Sequence, residues 1–212
     1  MKTEAGNRLG TEKIGKLMLE LALPSVLAQI VNVLYNIVDR IYIGRIPGVG
    51  AAALTGVGVC MPLIMIVSAF AALISSGGAP RASIAMGKGE HESAEKILGG
   101  CVTVQVVISL ILTVVILIWN KDLLLAFGAS ENTISYANSY MSLYAFGTLF
   151  VQLTLGMNAF ITAQGFAKTG MFTVMIGAVA NIILDPVFIY GFHMGVRGAA
   201  LATILSQGIS CV

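Results

Sequence analysis

Apolar residues run along this chain in long blocks, separated by short polar connections. Blocks of about 20 residues or more have the length of membrane-spanning helices, whereas barrel strands are alternating segments of about ten. The pattern predicts helices over residues 17–43, 51–75, 97–119, 136–163 and 170–190, with a sixth starting at 198 and ending incomplete at 212. The expected architecture is all-α and integral to a membrane, a six-helix bundle preceded by a polar segment over residues 1–16. Because the sixth block stops short of a full span, the chain is expected to be a fragment of a longer protein. The first block is too long for the core of a signal peptide and no small-residue cleavage site follows it.

Polar positions inside the blocks are few and patterned. Ser25, Gln29, Asn32, Asn36 and Asp39 follow one another in steps of four and three, which places them on one stripe of the first helix. A stripe of amides alone would read as a helix–helix seam. Ending in a carboxylate, this one reads better as a water-lined face. In the fifth block Asn181 and Asp185 lie four apart, and Pro186 follows. A proline there removes a backbone donor and disturbs the carbonyl of Ile182 one turn back, so a kink is expected. The freed carbonyl, the carboxylate and the amide oxygen within one turn suit a hard cation, and the same carboxylate can carry a proton. Thr203 is a further hydroxyl near that level. An ionisable group inside a span costs about 2.5–3.5 kcal/mol on insertion scales, so Asp39 and Asp185 are the strongest pointers to function.

Composition sharpens this picture. The chain is 57% hydrophobic and 10% charged, with mean hydropathy +0.91. Soluble domains carry about 25% charged residues, so a water-exposed surface is excluded. A net charge of +2 without a basic, aromatic-interleaved patch argues against nucleic acid. Cys60, Cys101 and Cys211 have neither disulfide nor metal spacing. No HExxH, GxSxG, glycine-rich phosphate loop or GxGD motif is present, so no enzyme and no organic cofactor are expected. Eight Lys and Arg fall in one set of connections and four in the other, which places the N-terminus on the cytoplasmic side. Arg40, next to Asp39 but about 100° around the helix, is expected to reach the outer headgroups. VDRIYIGRIPGVGAAAL (38–54) and LDPVFIYGFHMGVRGAAL (184–201) form a weak internal repeat, a feature common in transporters.

The segments YNIVDRIYIGRIPGVGAAAL, LLLAFGASENTISYANSYM and AQGFAKTGMFTVMIGAVANIILDPVFIYGFHMGVRGAALAT resemble the multidrug and toxic compound extrusion (MATE) family, the last most like its DinF-like branch. The resemblance runs from about residue 16 onward and matches only the N-terminal lobe of that family's twelve helices. It implies an antiporter that exports cationic amphipathic small molecules against Na⁺ or H⁺, in the plasma (inner) membrane of a prokaryote, with a C-terminal lobe as its missing partner. It also implies coupling roles for Asp39, Asn181, Asp185 and Thr203, and cavity roles for Asn32 and Asn158. The alternatives are a flippase of lipid-linked sugars, whose groove calls for basic residues, and a non-transporting membrane scaffold.

Overall fold

A computed structural model describes residues 13–211, and helices account for nearly all of it. In chain order these are α1 (Ile14–Gly44), α2 (Gly50–Val59), α3 (Met61–Lys88), α4 (His91–Ala126), α5 (Ile134–Phe146), α6 (Thr148–Ala163), α7 (Ala167–Pro186), a π-helical turn (Val187–Gly191) and α8 (Val196–Cys211). They form six rods, because α2 continues into α3, α5 into α6, and α7 into the π turn. Among the described residues, four helices are long and apolar enough to cross a membrane, or five if the bent α5–α6 pair is one span. The chain is therefore an all-helical, multi-pass membrane protein. Residues 1–12 of the expected N-terminal segment, and Val212, lie outside the described residues.

Several connections expected from polarity are helical instead. α3 runs on through the polar stretch to Lys88 and stops at Gly89, whose φ of 81° ends the helix as a left-handed cap. Only Gly89 and Glu90 separate it from α4. The latter continues past a bend at Trp119 (φ −104°, ψ 17°) as far as Ala126. There the buried Asn120 amide donates to the Ser142 hydroxyl at 2.8 Å and the Asn138 carbonyl at 3.2 Å, tying the helix end to α5. Polar side chains that find partners inside the bundle are compatible with helix, which is why polarity alone misplaced these ends.

α5 and α6 meet at 60°. Gly147 sits at the break, and a Cβ there would come within 2.5 Å of Ile204 on α8. The missing side chain lets α8 press into the elbow. At Pro186 the regular α-helix ends. α7 widens into the π turn, with Phe192 N–H donating to Val187 O at 2.9 Å, five residues back. The π turn lies on the C-terminal side of Pro186, whose own missing donor faces Ile182 one turn back.

The two copies of the internal repeat end up side by side. α1 packs along α7, and Tyr42 meets Tyr190 edge to face at 6.3 Å while the Tyr190 hydroxyl donates to Tyr42 O at 2.6 Å. Ile43 and Ile189 belong to one apolar core. In each copy the following helix turns back onto the strip it came from. A Cβ at Gly50 would strike Gly44 O, and one at Gly198 would lie 2.7 Å from the Phe188 backbone. This core, with Val57, Leu63, Leu124, Tyr140 and Tyr144, closes one end of the bundle. The outer faces of α1, α4 and α7 leave many Leu, Ile and Val side chains exposed.

Candidate functional site

Five of the six rods, all but α4, line a cavity of about 610 Å³. α1 contributes Gln29, Asn32, Tyr35, Asn36, Asp39 and Arg40 to its wall, so the polar stripe faces this space as its spacing implies. Ser25 does not join it. Its hydroxyl donates to Leu21 O on its own helix at 2.9 Å. Asn36 donates back to Asn32 O at 2.7 Å and to Asn32 Oδ1 at 3.2 Å, which leaves its own amide oxygen available.

α3 adds Met61, Met65, Ser68 and Ser75, α5 adds Tyr140 and Tyr144, and α8 adds Thr203, Ser206, Gln207 and Ser210. The Tyr140 hydroxyl approaches Thr203, and Tyr35 approaches Gln207. The wall is thus amides, hydroxyls, aromatic rings and thioethers, a mixture that suits amphipathic ligands of varied shape.

Asp39 is 8% exposed and forms part of this wall. Asp185, fully buried on α7, stands behind it with the two carboxyls at hydrogen-bonding range. Asn181, one turn back on the same face, is also fully buried. No donor or acceptor elsewhere among the described residues satisfies either oxygen of Asp185 or either polar atom of the Asn181 amide. Buried polar groups in proteins nearly always have partners, so this cluster is arranged to receive something. A single proton between the carboxyls would give each a partner. A hard cation would find up to five oxygens here, two from each carboxylate and one from Asn181.

Asn181 and Asp185 do not themselves line the cavity, whereas Asp39 does. Thr203 lies in the cavity wall, its hydroxyl donating to Ala199 O at 3.0 Å. Asn158 lies elsewhere. Its amide donates to Gly170 O at 2.9 Å and to Thr173 at 3.3 Å, fastening the start of α7 to α6. A Cβ at Gly170 would press on that amide at 2.9 Å, which explains the glycine.

Arg40, expected to reach the outer headgroups, is exposed and also lines the cavity. It folds back over the cavity rim, and its Nη2 sits 3.0 Å from Met61 Sδ. A long side chain at the end of a helix can lie along a neighbour as easily as snorkel outward. Sequence reasoning also missed Tyr35, Tyr140, Tyr144, Ser206, Gln207 and Ser210. Ser206 and Ser210 sit four apart, as do Thr203 and Gln207, so a stripe on α8 was there to read.

Comparison with known proteins agrees with this geometry. Residues 24–187 match the sequence profile of the MatE family. The chain is 27% identical over 210 residues to the multidrug export protein MepA of Staphylococcus haemolyticus, which covers 99% of this chain and 46% of MepA. It is 28% identical over 187 residues to the probable multidrug resistance protein YoeA of Bacillus subtilis, covering 86% of this chain and 40% of YoeA. The fold superposes with a TM-score of 0.91 and 26% identity on a solved structure described as the outward-facing conformation of a multidrug resistance MATE family transporter of the MOP superfamily, over all of this chain and 46% of the other. The chain thus spans about half the length of the relatives it matches. From its buried carboxyl pair to its six-rod bundle, it belongs to the MatE family.

Proposed function

We propose that this chain forms the N-terminal lobe of a cation- or proton-coupled antiporter that exports cationic amphipathic compounds. The observation that carries this is the carboxyl pair, with one member in the wall of a 610 Å³ cavity and the other sealed behind it. A cationic ligand in the cavity is attracted to Asp39. A proton or Na⁺ at the Asp39–Asp185–Asn181 cluster removes that attraction, so loading of the ion and release of the ligand are linked. Thr203 and Tyr140 stand beside Asp39 as further oxygens for the ion. Gln29, Asn32 and Asn36 offer hydrogen bonds to the ligand, and Tyr35 and Tyr144 offer ring faces to its charge. Asn158 is retained as a candidate only through the packing of α6 on α7 that it supports.

In this reading the cavity empties outward, the N-terminus is cytoplasmic, and the membrane is the plasma membrane of a prokaryote. Alternating access involves a second lobe of the size that the relatives carry.

The test is efflux from vesicles by the protein as its gene encodes it, with Na⁺ and pH gradients imposed separately. Asp39→Asn and Asp185→Asn should each reduce gradient-driven efflux of a cationic dye to the level of protein-free vesicles, while folded protein is retained. Unchanged efflux in both variants would refute the coupling role. A flippase of lipid-linked sugars gains one observation, Arg40 at the rim, but the adjacent Asp39 offsets it. Loss of transport in Arg40→Gln together with full transport in Asp39→Asn would favour that second reading.

A further inference from the structure

Away from the cavity, the outer surface of the α3–α4 pair holds a groove of about 420 Å³. Two stripes with helical spacing of four make its sides, Leu73, Gly77 and Arg81 on α3 and Lys96, Gly100 and Val104 on α4. The helices run in opposite directions through the short turn at Gly89 and Glu90, so both cations stand at one end of the groove and Leu73 and Val104 stand at the other. Between the ends the floor is glycine. A Cβ at Gly77 or Gly100 would meet nothing within 4 Å, so the space above both is open. Deeper in, Gly78 lets Cys101 and Phe160 close the bottom, where a Cβ would come within 2.4 Å of Cys101 Sγ.

Among the described residues Arg81 has no carboxylate within ion-pairing distance. Lys96 pairs with Glu92 at 2.7 Å, but both side chains are largely exposed, and such pairs are weak. The face around the groove is apolar and exposed, with Leu73 66% and Val107 50% accessible. An occupant therefore arrives from the bilayer. It needs a negative end and an apolar body.

We propose that this groove binds an anionic phospholipid, its phosphate between Arg81 and Lys96 and one acyl chain along the glycine floor. Basic pockets between transmembrane helices recognise anionic headgroups by this combination of charge and burial. The cationic compounds of the central cavity are repelled here by the same two residues. The site stands whether or not the chain transports anything.

The probe is phosphatidylglycerol carrying a diazirine on one acyl chain, presented in phosphatidylcholine vesicles to the protein as its gene encodes it. Peptide mapping should find the label within residues 73–78 and 100–104. Arg81→Gln with Lys96→Gln should weaken labelling about thirty-fold, since each basic residue near the surface contributes roughly a factor of five. Arg81→Lys with Lys96→Arg should keep it. Gly77→Leu with Gly100→Leu should fill the floor and abolish labelling with both charges intact, and circular dichroism reports whether each variant stays helical. Equal labelling by a phosphatidylcholine diazirine, or labelling unaffected by the double Gln variant, would overturn the proposal. Competition by soluble glycerol phosphate at comparable concentration would overturn the acyl-chain half of it and leave a plain phosphate site.

Discussion

At the scale of single residues, the absence of a side chain is as consequential as its presence. Gly198 faces the backbone of Phe188 and Ile189 at 2.7–2.8 Å from where a Cβ would be, and backbone cannot swing aside. Gly198→Val should therefore lower stability by about 1–3 kcal/mol or more, read as an earlier thermal unfolding transition in detergent. Gly58 meets nothing within 4 Å, so Gly58→Ala should raise stability by roughly 0.5–1 kcal/mol in the same assay. Gln105 makes the opposite case. It is fully buried between α4 and α6, and neither its amide oxygen nor its nitrogen has a partner among the described residues. Removing the polarity while keeping the volume should be neutral or stabilising, so Gln105→Met should unfold no earlier than the parent. The carboxyl pair looks similar but differs in one respect. Asp39 opens onto the cavity and Gln105 does not.

At the scale of elements, the stripe on α1 was legible because its spacing matched one helical face, and that face does meet the cavity. The pairing of Asp39 with Asp185 was legible only as two charges that each needed an explanation. No periodicity within one helix says which other helix it will lie against. The repeat held that information, since its two copies pack together through Tyr42 and Tyr190. Tyr190→Phe deletes that hydrogen bond and should cost about 1 kcal/mol in thermal unfolding, with larger losses excluding a simple one-bond role. Helix ends were less legible. Polar runs near Gly77–Lys88 and Asn120–Ala126 read as connections, yet Ser83 donates to Ala163 O at 3.1 Å and Asn120 donates to α5, so their polarity is used inside the bundle. The contact of Arg40 with Met61 was not legible for a related reason. Which way a long side chain leans depends on whether a neighbour such as Met61 stands within reach, and only the folded chain decides that.

At the scale of the whole molecule, the apolar blocks specified the class of protein and the number of rods, but not that the rods enclose a space. At one end α2, α5 and α8 pack closely, where Gly56 meets the Thr133 backbone, Gly147 meets Ile204, and Ala137, Ala199 and Ala200 are buried. Single cysteines at Ser68 or Ser206, in a background lacking the three native cysteines, should react with a water-soluble thiol reagent through this space. A bound cationic ligand should slow both reactions, whereas a cysteine at Leu110, on the bilayer face, should react slowly with or without ligand. Orientation is testable in the same way. Cysteines at Lys16 and Lys121 should be labelled from opposite sides of the membrane, with Lys16 accessible only from the cytoplasm.

The π turn after Pro186 has a consequence in the arithmetic of chain length. A π turn amounts to one residue more than an α-helix needs over the same path. Removing one residue between Val187 and Gly191 would let an ordinary helix close over the same path, so Phe192 and the chain beyond would keep their placement relative to Asp185. A single-residue deletion in this five-residue turn should therefore be less damaging than one in the four-residue loop Phe192–Gly195, where the positive φ of His193 and Gly195 sets the path back to α8.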